Sequence, residues 1–346
     1  MNAGGKKQYT IVELHGDGIS GELSRAVHTV ADKLPFGLSF VPVDLSDEAR
    51  KTKGEDAVYD EAEAKMREYS VSMKYPTATT NSSPNRVLRE RCAFTVIHRP
   101  VQTIPGIETN FTRKLDIEIV RIATGGTYED VGRRIGPDTA VSLRVIERIP
   151  SKRAARFAFK LAQLRNCGVV STSKYTIQKE TDGLFEETAE LVSTDYPATP
   201  YRHELFDALL AGLIMNPERY GVIVCPNEYG DFLSDAAMGL IGSIGLGDSA
   251  SYAFDDNGQT TLSMFDPSGG TAPDIAGKNI ANPTAALLAM ANMLRHLGEP
   301  NAGAALRKAI LNSIEAGDKT RDIGGTLDTD QFTEVVCGRM LDNLES

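Results

Sequence analysis

The sequence predicts an α/β fold in which helices pack against a sheet, and three observations support this prediction. Strand-like apolar runs alternate with helical patterns along the chain, which is typical of α/β proteins. Hydrophobic residues make up 41% of the chain and charged residues 24%, a composition typical of ordered globular proteins. At 346 residues the chain is longer than most single compact domains, so we expect two domains with a sizeable core.

The apolar runs and helical patterns follow one another along the whole chain. YTIVEL precedes the helical pattern GELSRAVHTVADKL, and the middle of the chain contains the strand-like runs IEIVRIA, CGVVSTS and YGVIVC. Two helical patterns, PTAALLAMANMLRHLG and GAALRKAILNSIEAG, follow later. In the first of them Leu287, Leu288, Ala291 and Leu294 recur at helical spacing, which predicts a helix with a buried face.

The charge pattern argues against a nucleic-acid-binding surface. The formal net charge is −10, whereas neutralising a phosphate backbone requires clustered Lys and Arg. Four arginines nevertheless fall within one short segment: Arg86, Arg89, Arg91 and Arg99. A local basic pocket inside an acidic protein indicates a small polyanionic ligand rather than a polymer.

The cysteines and the apolar segments indicate a cytoplasmic protein. Cys92, Cys167, Cys225 and Cys337 are far apart without CxxC spacing, so we expect reduced thiols rather than disulfides or a cysteine-based zinc site. The start, MNAGGKKQ, lacks the apolar region of a secretory signal, and we expect it to be a mobile tail. No apolar stretch is long enough to span a bilayer, so no membrane partner is expected.

The stretch CPNEYGDFLSDAA, residues 225 to 237, places Asp231 and Asp235 four positions apart. On a helix both carboxylates lie on one face, where like charges destabilise an isolated helix by a few tenths of a kcal/mol. The two acids are therefore either part of a solvated face or half of a metal site. The spacing alone is consistent with both interpretations.

Two glycine-rich segments are candidates for nucleotide binding. HGDGISGE, residues 15 to 22, lies between a strand and a helix but matches neither phosphate-binding pattern, and a plain turn is the simpler interpretation. FDPSGGTAPDIAGKNIANP is more distinctive because its backbone amides can face an anion. Within it, the Asp274 carboxylate can accept a ribose hydroxyl while repelling a 2′-phosphate.

Other side chains are candidates for binding or proton transfer, although each also has an ordinary structural interpretation. Arg89 and Arg99 have guanidinium groups suited to a polyacid substrate, but surface arginines are common. Tyr128 follows a Gly-Gly turn and either donates a proton or simply packs. Lys174 follows a strand-like run and is either a base or a solvated charge. Asp207 precedes an apolar helix, where capping already explains an acid.

Taken in chain order, these segments resemble the isocitrate and isopropylmalate dehydrogenase family of β-decarboxylating dehydrogenases. The resemblance runs from GDGI at 16–19 to TRDIGGTLDTDQF at 320–332, and its most specific pieces are NEYGDFLSDAA and TAPDIAGKNIANPTAA. It implies two domains with open mixed sheets flanked by helices, different from a Rossmann fold. Residues 1–94 and 242–346 would form the large domain with the nucleotide loop. Residues 95–241 would form the small domain with the dimer contacts and most metal ligands.

The resemblance also implies roles for individual residues, by matching motif positions. Arg89, Arg99 and Arg121 would bind the malate-like part of the substrate, and Tyr128 and Lys174 would be the proton-transfer pair. The metal, Mg²⁺ or Mn²⁺, would be bound by Asp207, Asp231 and Asp235. In the family the lysine and the first aspartate come from the partner subunit, so an obligate homodimer with shared active sites is expected.

A reaction and a cofactor follow from the same resemblance. Hydride would pass from the substrate C2 atom to NAD, and the 2-oxo acid would lose its 3-carboxylate as CO₂ with the divalent cation as Lewis acid. Lys174 would help to take the hydroxyl proton, and Tyr128 would protonate the enolate carbon. Asp274 followed by Ile275 matches the NAD-preferring pattern, and Asn282 would contact adenine. The loop would also bind NAD through Gly270, Thr271 and Ala272.

Some positions depart from the family pattern. Gly269 stands where many members have a histidine in the nucleotide loop. Ile122 replaces the acid that usually follows the Arg121 position, and Thr176 replaces a frequent asparagine. GISGE stands for the usual GIGPE.

Substrate choice in the family depends on the helix that contains Arg89. Ser83 and Asn85 match positions that hold the distal carboxylate in isocitrate enzymes, and Arg86 matches a position seen in homoisocitrate enzymes. A third anionic group is favoured, because an unpaired buried guanidinium beside an isopropyl group is costly. Isocitrate is therefore the expected substrate. Homoisocitrate, a phosphonomethylmalate-type substrate, 3-isopropylmalate and a noncatalytic regulatory subunit are the alternatives.

Overall fold

The structure is a computed structural model that describes residues 7–80, 82–242 and 244–345. Most of the tail expected at the start of the chain, residues 1–6, lies outside the described residues. Within the described part, no helix has both the length and the apolar character needed to cross a membrane.

Twelve strands are present in the described residues. They are β1 (Gln8–His15), β2 (Gly37–Asp44), β3 (Val71–Lys74), β4 (Val96–Gln102), β5 (Asp116–Ile122), β6 (Arg133–Arg134), β7 (Ala140–Val141), β8 (Val169–Ser173), β9 (Tyr201–Leu205), β10 (Val222–Cys225), β11 (Asp248–Phe254) and β12 (Thr260–Pro267).

Eleven α-helices accompany these strands in the same described ranges. They are α1 (Ser20–Ala31), α2 (Asp47–Lys53), α3 (Glu55–Tyr69), α4 (Pro84–Arg91), α5 (Arg148–Arg165), α6 (Thr181–Ser193), α7 (Phe206–Met215), α8 (Asn227–Leu240), α9 (Thr284–His296), α10 (Pro300–Glu315) and α11 (Thr329–Glu345).

Ten of the strands form one mixed sheet in the order β2-β1-β3-β12-β11-β4-β5-β10-β8-β9. The central pairs β12-β11, β11-β4 and β4-β5 are antiparallel, whereas the outer pairs are parallel. The short strands β6 and β7 form a separate antiparallel pair. The predicted α/β architecture with an open mixed sheet and flanking helices is confirmed.

Both faces of the sheet are covered because apolar residues in its strands point alternately to opposite sides. In β1, Ile11 packs in the cluster that contains α1 and α9, while the next residue, Val12, packs in the cluster that contains α3. In β5, Ile119 packs with α7 and α8, while Val120 belongs to the cluster with α5. The site residues lie near the ends of these strands, between the two helix-covered faces of the sheet.

Helix α9 is buried more completely than its sequence pattern predicts. Leu287, Leu288, Ala291 and Leu294 are buried as expected. Every residue from Thr284 to Leu294 is also buried, so the helix lies inside the protein rather than on its surface. Helices α10 and α1 and the strands β11 and β12 supply the additional cover.

The ten-stranded sheet runs through both predicted domains. Residues 95–241 contribute β4, β5, β8, β9 and β10, and the two outer segments of the chain contribute the other five strands. The pairing of β11 with β4 crosses the predicted boundary through Ala250 and His98. The position of the domain boundaries stays a prediction.

Candidate active site

A cleft of about 820 Å³ lies between the start of α4, the end of β5, the segment 123–131 and the starts of α5 and α8. Its volume is in the range of small-molecule sites. Five of the predicted site residues line it, together with Asn227: Ser83, Arg86, Arg89, Arg121 and Tyr128. The structure thus brings together side chains from four separate parts of the sequence.

Arg121 is the centre of this arrangement. It lies near the end of β5, is buried, and donates from Nε to Asn227 Oδ1 at 2.9 Å and from Nη1 to Asp231 Oδ1. Its guanidinium carbon lies 5.9 Å from the centre of the Tyr128 ring. Gly230 makes this packing possible, because a Cβ atom there would lie 2.6 Å from the Cβ of Arg121.

The electrostatics of the arginines favour an anionic ligand. Burial and the nearby charge of Arg99 together lower the pKa of Arg121 to about 10, although Asp231 opposes the shift. Burial also lowers the pKa of Arg89. The Nε atoms of Arg89 and Arg99 are buried without a hydrogen-bond partner. Because buried donors are rarely left unpaired, these atoms indicate where a ligand's carboxylates would bind.

Asp231 and Asp235 lie one turn apart on α8, as the sequence predicts. Arg99 Nη1 lies 3.6 Å from Asp231 Oδ1 and 3.5 Å from Asp235 Oδ1, and it donates to Ser234 Oγ at 2.6 Å. Arg99 itself lies within β4. The like charges on α8 are therefore offset by Arg99 and Arg121.

The donor set of these two acids fits a hard divalent cation, because carboxylate oxygens are the ligands that Mg²⁺ and Mn²⁺ prefer. Two carboxylates alone do not complete such a site. Across the described residues, no group of three or more His, Cys, Asp or Glu side chains is arranged to hold a metal. One chain thus brings together two of the three predicted metal ligands, Asp231 and Asp235.

Tyr128 is positioned to donate a proton. It lies just after Gly125 and Gly126, is 42% exposed, and donates from its hydroxyl to Asp231 Oδ2 at 3.1 Å. Partial burial and the neighbouring Asp231 carboxylate raise its pKa above the ordinary tyrosine value. The phenol is therefore protonated at neutral pH.

Lys174 and Asp207 form a second group. Lys174 follows β8, and its Nζ donates to Asp207 Oδ1, in the first turn of α7, at 2.6 Å. This contact lowers the pKa of the exposed Asp207 carboxyl. The predicted catalytic and metal-binding residues are thus divided between a group around Arg121 and a pair formed by Lys174 and Asp207.

The predicted nucleotide loop, residues 268–283, connects β12 to α9. Ala272 has a positive φ of 42°, and a 3-10 helix, Pro273–Ile275, follows with Asp274 exposed. The backbone N–H of Ile19 donates to the Thr271 carbonyl at 2.9 Å. This close approach requires Gly18, because a Cβ there would lie 1.8 Å from the same carbonyl oxygen. The GDGI segment is the turn that we predicted, and it also supports the loop.

The second half of the loop is held by an acid that the sequence interpretation missed. Glu22, in the first turn of α1, accepts from the backbone N–H of Asn279 at 2.6 Å and from that of Gly277 at 3.2 Å. Asn282 donates to Asp322 at 2.9 Å and accepts from the Thr284 N–H at 3.0 Å. Glu22 is the acid that ends the GISGE segment, and the presence of an acid there was the only local signal for this role.

Asn227 is another missed residue of the cleft. Besides accepting from Arg121, it donates to the Gly125 carbonyl at 3.1 Å, so it connects α8 to the segment that contains Tyr128. Its spacing of four from Asp231 places both on one helix face and could have indicated it.

Three of the departures from the family pattern, Ile122, Thr176 and Gly269, have different surroundings. Ile122 is buried in the apolar core next to the site. Thr176 is exposed after β8, and a Cβ on Gly269 would meet open space.

Comparisons with known proteins show the family to which the chain belongs. Residues 10–336 match the protein family described as isocitrate/isopropylmalate dehydrogenase. The chain is 33% identical to subunit 2 of the mitochondrial NAD isocitrate dehydrogenase of Kluyveromyces lactis, covering 96% of this chain and 91% of that protein. It is 36% identical to the 3-isopropylmalate dehydrogenase of Archaeoglobus fulgidus, covering 94% of this chain and 98% of that protein.

A solved structure has the same fold. The crystal structure of isocitrate dehydrogenase from Methylococcus capsulatus superimposes with a TM-score of 0.85 at 31% identity. The match covers 96% of this chain and 99% of the other.

Proposed function

Because the chain belongs to the isocitrate/isopropylmalate dehydrogenase family, we propose that it catalyses NAD- and metal-dependent oxidative decarboxylation of a 3-substituted malate. Isocitrate is the proposed substrate, and 2-oxoglutarate and CO₂ are the products. The observation that supports this most is the cleft lined by Arg89, Arg121 and Tyr128, together with Asp231, which contacts Arg99, Arg121 and Tyr128. Arg89 and Arg99 each leave a buried Nε–H group unpaired, as a site for a polycarboxylate would.

The arginines bind and orient the malate part of the substrate. Their guanidinium groups donate bidentately to two carboxylates, and this geometry also limits the rotation of the substrate in the cleft. Tyr128, whose phenol is protonated at neutral pH, supplies a proton to the substrate carbon after CO₂ leaves. The partner subunit delivers its own Lys174 to this cleft, and that lysine takes the hydroxyl proton of the substrate.

Asp231 and Asp235, with Asp207 of the other chain, would hold Mg²⁺ or Mn²⁺. When bound, the cation supplies Lewis-acid polarisation of the substrate oxygen and NAD supplies the hydride acceptor. The loop 268–283 would bind NAD, with Gly270, Thr271 and Ala272 near its phosphates. Hydrogen bonds with the Ile19 N–H and with the Glu22 carboxylate hold the loop backbone in one conformation.

Substrate choice is assigned to Ser83, Asn85 and Arg86 at the start of α4. Ser83 and Arg86 line the cleft, and Asn85 Oδ1 is buried without a partner. Arg86 Nε donates to the exposed Glu90 at 2.7 Å, a surface ion pair that is weak enough to exchange for a ligand. These groups favour a substrate with a third anionic group over one with an isopropyl group.

A steady-state comparison of substrates tests the proposed activity. With NAD and Mn²⁺, we expect NADH formation with isocitrate to have the highest kcat/KM among isocitrate, homoisocitrate, 3-isopropylmalate and phosphonomethylmalate. A preference for another member would transfer the assignment to that substrate. Absence of turnover across the whole panel, with either nucleotide, would instead favour a noncatalytic regulatory subunit.

The active site is proposed to be shared between two subunits. Lys174 contacts Asp207, whereas Tyr128 contacts Asp231, and this division of the predicted residues into two groups supports the assembly. Helices α7 and α8 also expose large apolar side chains, which is typical of surfaces that self-associate. Ile214 is 56% exposed, Met215 64% and Phe232 56%.

Mixing two inactive variants tests the shared site. Lys174→Ala and Tyr128→Ala homodimers are each expected to lose activity. After subunit exchange, a mixed dimer contains one site with both residues intact, so an equal mixture should recover about a quarter of wild-type activity. The readout is NADH formation after co-refolding. If each site is built within one chain, the mixture recovers nothing.

NAD is the proposed cofactor because Asp274 would repel a 2′-phosphate. Asp274 is exposed in the 3-10 helix after Ala272, where a ribose hydroxyl could reach it. We expect kcat/KM to favour NAD over NADP by at least about tenfold, and Asp274→Asn to reduce that ratio. The ratio is measured for both proteins at saturating substrate and metal. A wild-type preference for NADP would disprove this assignment.

A reducing, cytoplasmic location is also proposed. All four cysteines are free, and three of them are buried. Such thiols suit a reducing compartment.

A further inference from the structure

A fully buried aspartate in α6, Asp182, lies behind Lys174. Its Oδ2 accepts from the backbone N–H of Lys174 at 2.7 Å and from the Tyr229 hydroxyl at 3.1 Å. Its Oδ1 accepts from Nε and Nη2 of Arg144 at 3.0 and 2.7 Å. We propose that Asp182 is the positioning residue of the catalytic lysine, an inference that rests on the proposed function.

The hydrogen bond from the Lys174 backbone N–H to Asp182 controls the direction of the lysine side chain. Lys174 begins a turn in which its carbonyl accepts from the N–H groups of Ile177 and Gln178, both at 2.9 Å. Its own N–H, which no longer pairs within the sheet, is bonded by Asp182. Asp182 therefore sets the backbone from which the Lys174 ammonium extends. A displacement of about 1 Å there is enough to lower a rate about 100-fold.

Tyr229 connects Asp182 to Asp207, the residue that forms the ion pair with Lys174 in the same chain. The Tyr229 ring stacks on Phe206, with ring centres 4.6 Å apart, and Phe206 is adjacent to Asp207 at the start of α7. Burial beside Asp182 raises the pKa of Tyr229 to about 12, so its hydroxyl remains a donor. The Asp182 carboxylate thus supports both Lys174 and Asp207, the two residues that the chain would deliver to the active site of the partner subunit.

Arg144 places a positive charge beside the buried Asp182 carboxylate, 2.7 Å away. It also forms an ion pair with Glu228 and lies over the Tyr229 ring, with its guanidinium carbon 4.9 Å from the ring centre. A buried ion pair of this kind could serve stability alone. The two roles differ in their consequences, because a positioning role changes turnover in a folded dimer whereas a stability role does not.

Asp182→Asn is the variant of choice because it preserves size. Asp182 accepts hydrogen bonds on both oxygens, whereas an amide has one acceptor and one donor, so in either orientation its NH₂ group faces a donor. We expect kcat to fall about 100-fold with KM for the substrate changed less than about threefold, since the substrate arginines belong to the other group. Glu187→Gln, an exposed acid on the same helix, is the matched control and should leave both constants unchanged.

Recovery of activity in mixed dimers distinguishes the positioning role from a purely structural role. Asp182→Asn should be complemented by Tyr128→Ala, since one site of the mixed dimer then has an intact Tyr128 and a correctly positioned Lys174. It should not be complemented by Lys174→Ala, because both sites of that mixed dimer have a defective lysine. Thermal unfolding and the dimer fraction of each variant are measured in parallel.

Complementation of Asp182→Asn by both partners or by neither, while Lys174→Ala and Tyr128→Ala complement each other, would overturn the assignment. If those two reference variants fail to complement, the shared-site proposal fails, and the kinetic constants of the Asp182→Asn homodimer decide. An unchanged kcat in a folded Asp182→Asn dimer overturns the positioning role in either case.

Discussion

Replacing Asp231 with Asn should lower kcat about 1,000-fold and weaken Mn²⁺ binding about 100-fold. Asp231 is the acid around which the cleft is organised: it pairs with Arg121 and Arg99 and accepts from the Tyr128 hydroxyl. An amide oxygen keeps one acceptor for these donors, so the packing of the cleft is preserved. It does not supply the negative charge that a hard divalent cation requires.

The measurement is a titration of Mn²⁺ by activity and by calorimetry with wild type and variant. Asp195→Asn is the control, because Asp195 is an exposed acid whose nearest cation, Arg156, lies 3.8 Å away. It should not change the apparent metal affinity. Wild-type metal dependence in Asp231→Asn would remove Asp231 from the metal site.

Replacing Glu118 with Gln should destabilise the protein by about 3–5 kcal/mol at neutral pH. Glu118 is buried in β5, where it pairs with His98 Nε2 at 2.5 Å and with Arg165 Nη1 at 2.6 Å. Removing its charge leaves a buried histidine and an arginine without their common partner. The cost should appear as a lower urea midpoint of unfolding.

The same residue should determine part of the acid sensitivity. Burial alone would raise the pKa of Glu118, but the interactions with His98 and Arg165 lower it to about 2, from 4.5 in the reference state. A depressed carboxyl pKa stabilises the folded state above about pH 4.5, and that stabilisation, about 3 kcal/mol, is lost as the pH falls towards about 2.

Urea unfolding measured across this pH range checks both statements. In Glu118→Gln the midpoint should be lower at neutral pH and fall less steeply on acidification. The control is Asp116→Asn on the same strand, which removes the exposed partner of Arg165 at 2.7 Å and should cost less than about 1 kcal/mol. An acid profile for Glu118→Gln parallel to that of wild type would contradict the assignment.

Much of the fold and part of the site could be predicted from local sequence. The strand-like runs and the buried face of α9 follow from the spacing of apolar residues, because neighbouring positions define which face of an element is covered. Asp231 and Asp235 were placed together correctly, since four residues are one helical turn. The support that the GDGI turn gives to the loop was not predicted, because a turn pattern does not identify the segment that it contacts.

The sequence by itself determined the α/β class, the family resemblance and the acids of α8, because each depends on short-range periodicity or on a contiguous motif. Only the tertiary structure decided that Arg121 bonds Asp231 across 110 positions and that Glu22 holds Asn279 across 257. It also decided that Asp182 supports Lys174. These contacts depend on how the sheet orders its strands, and hydrogen bonds between distant residues leave no periodic pattern in the chain.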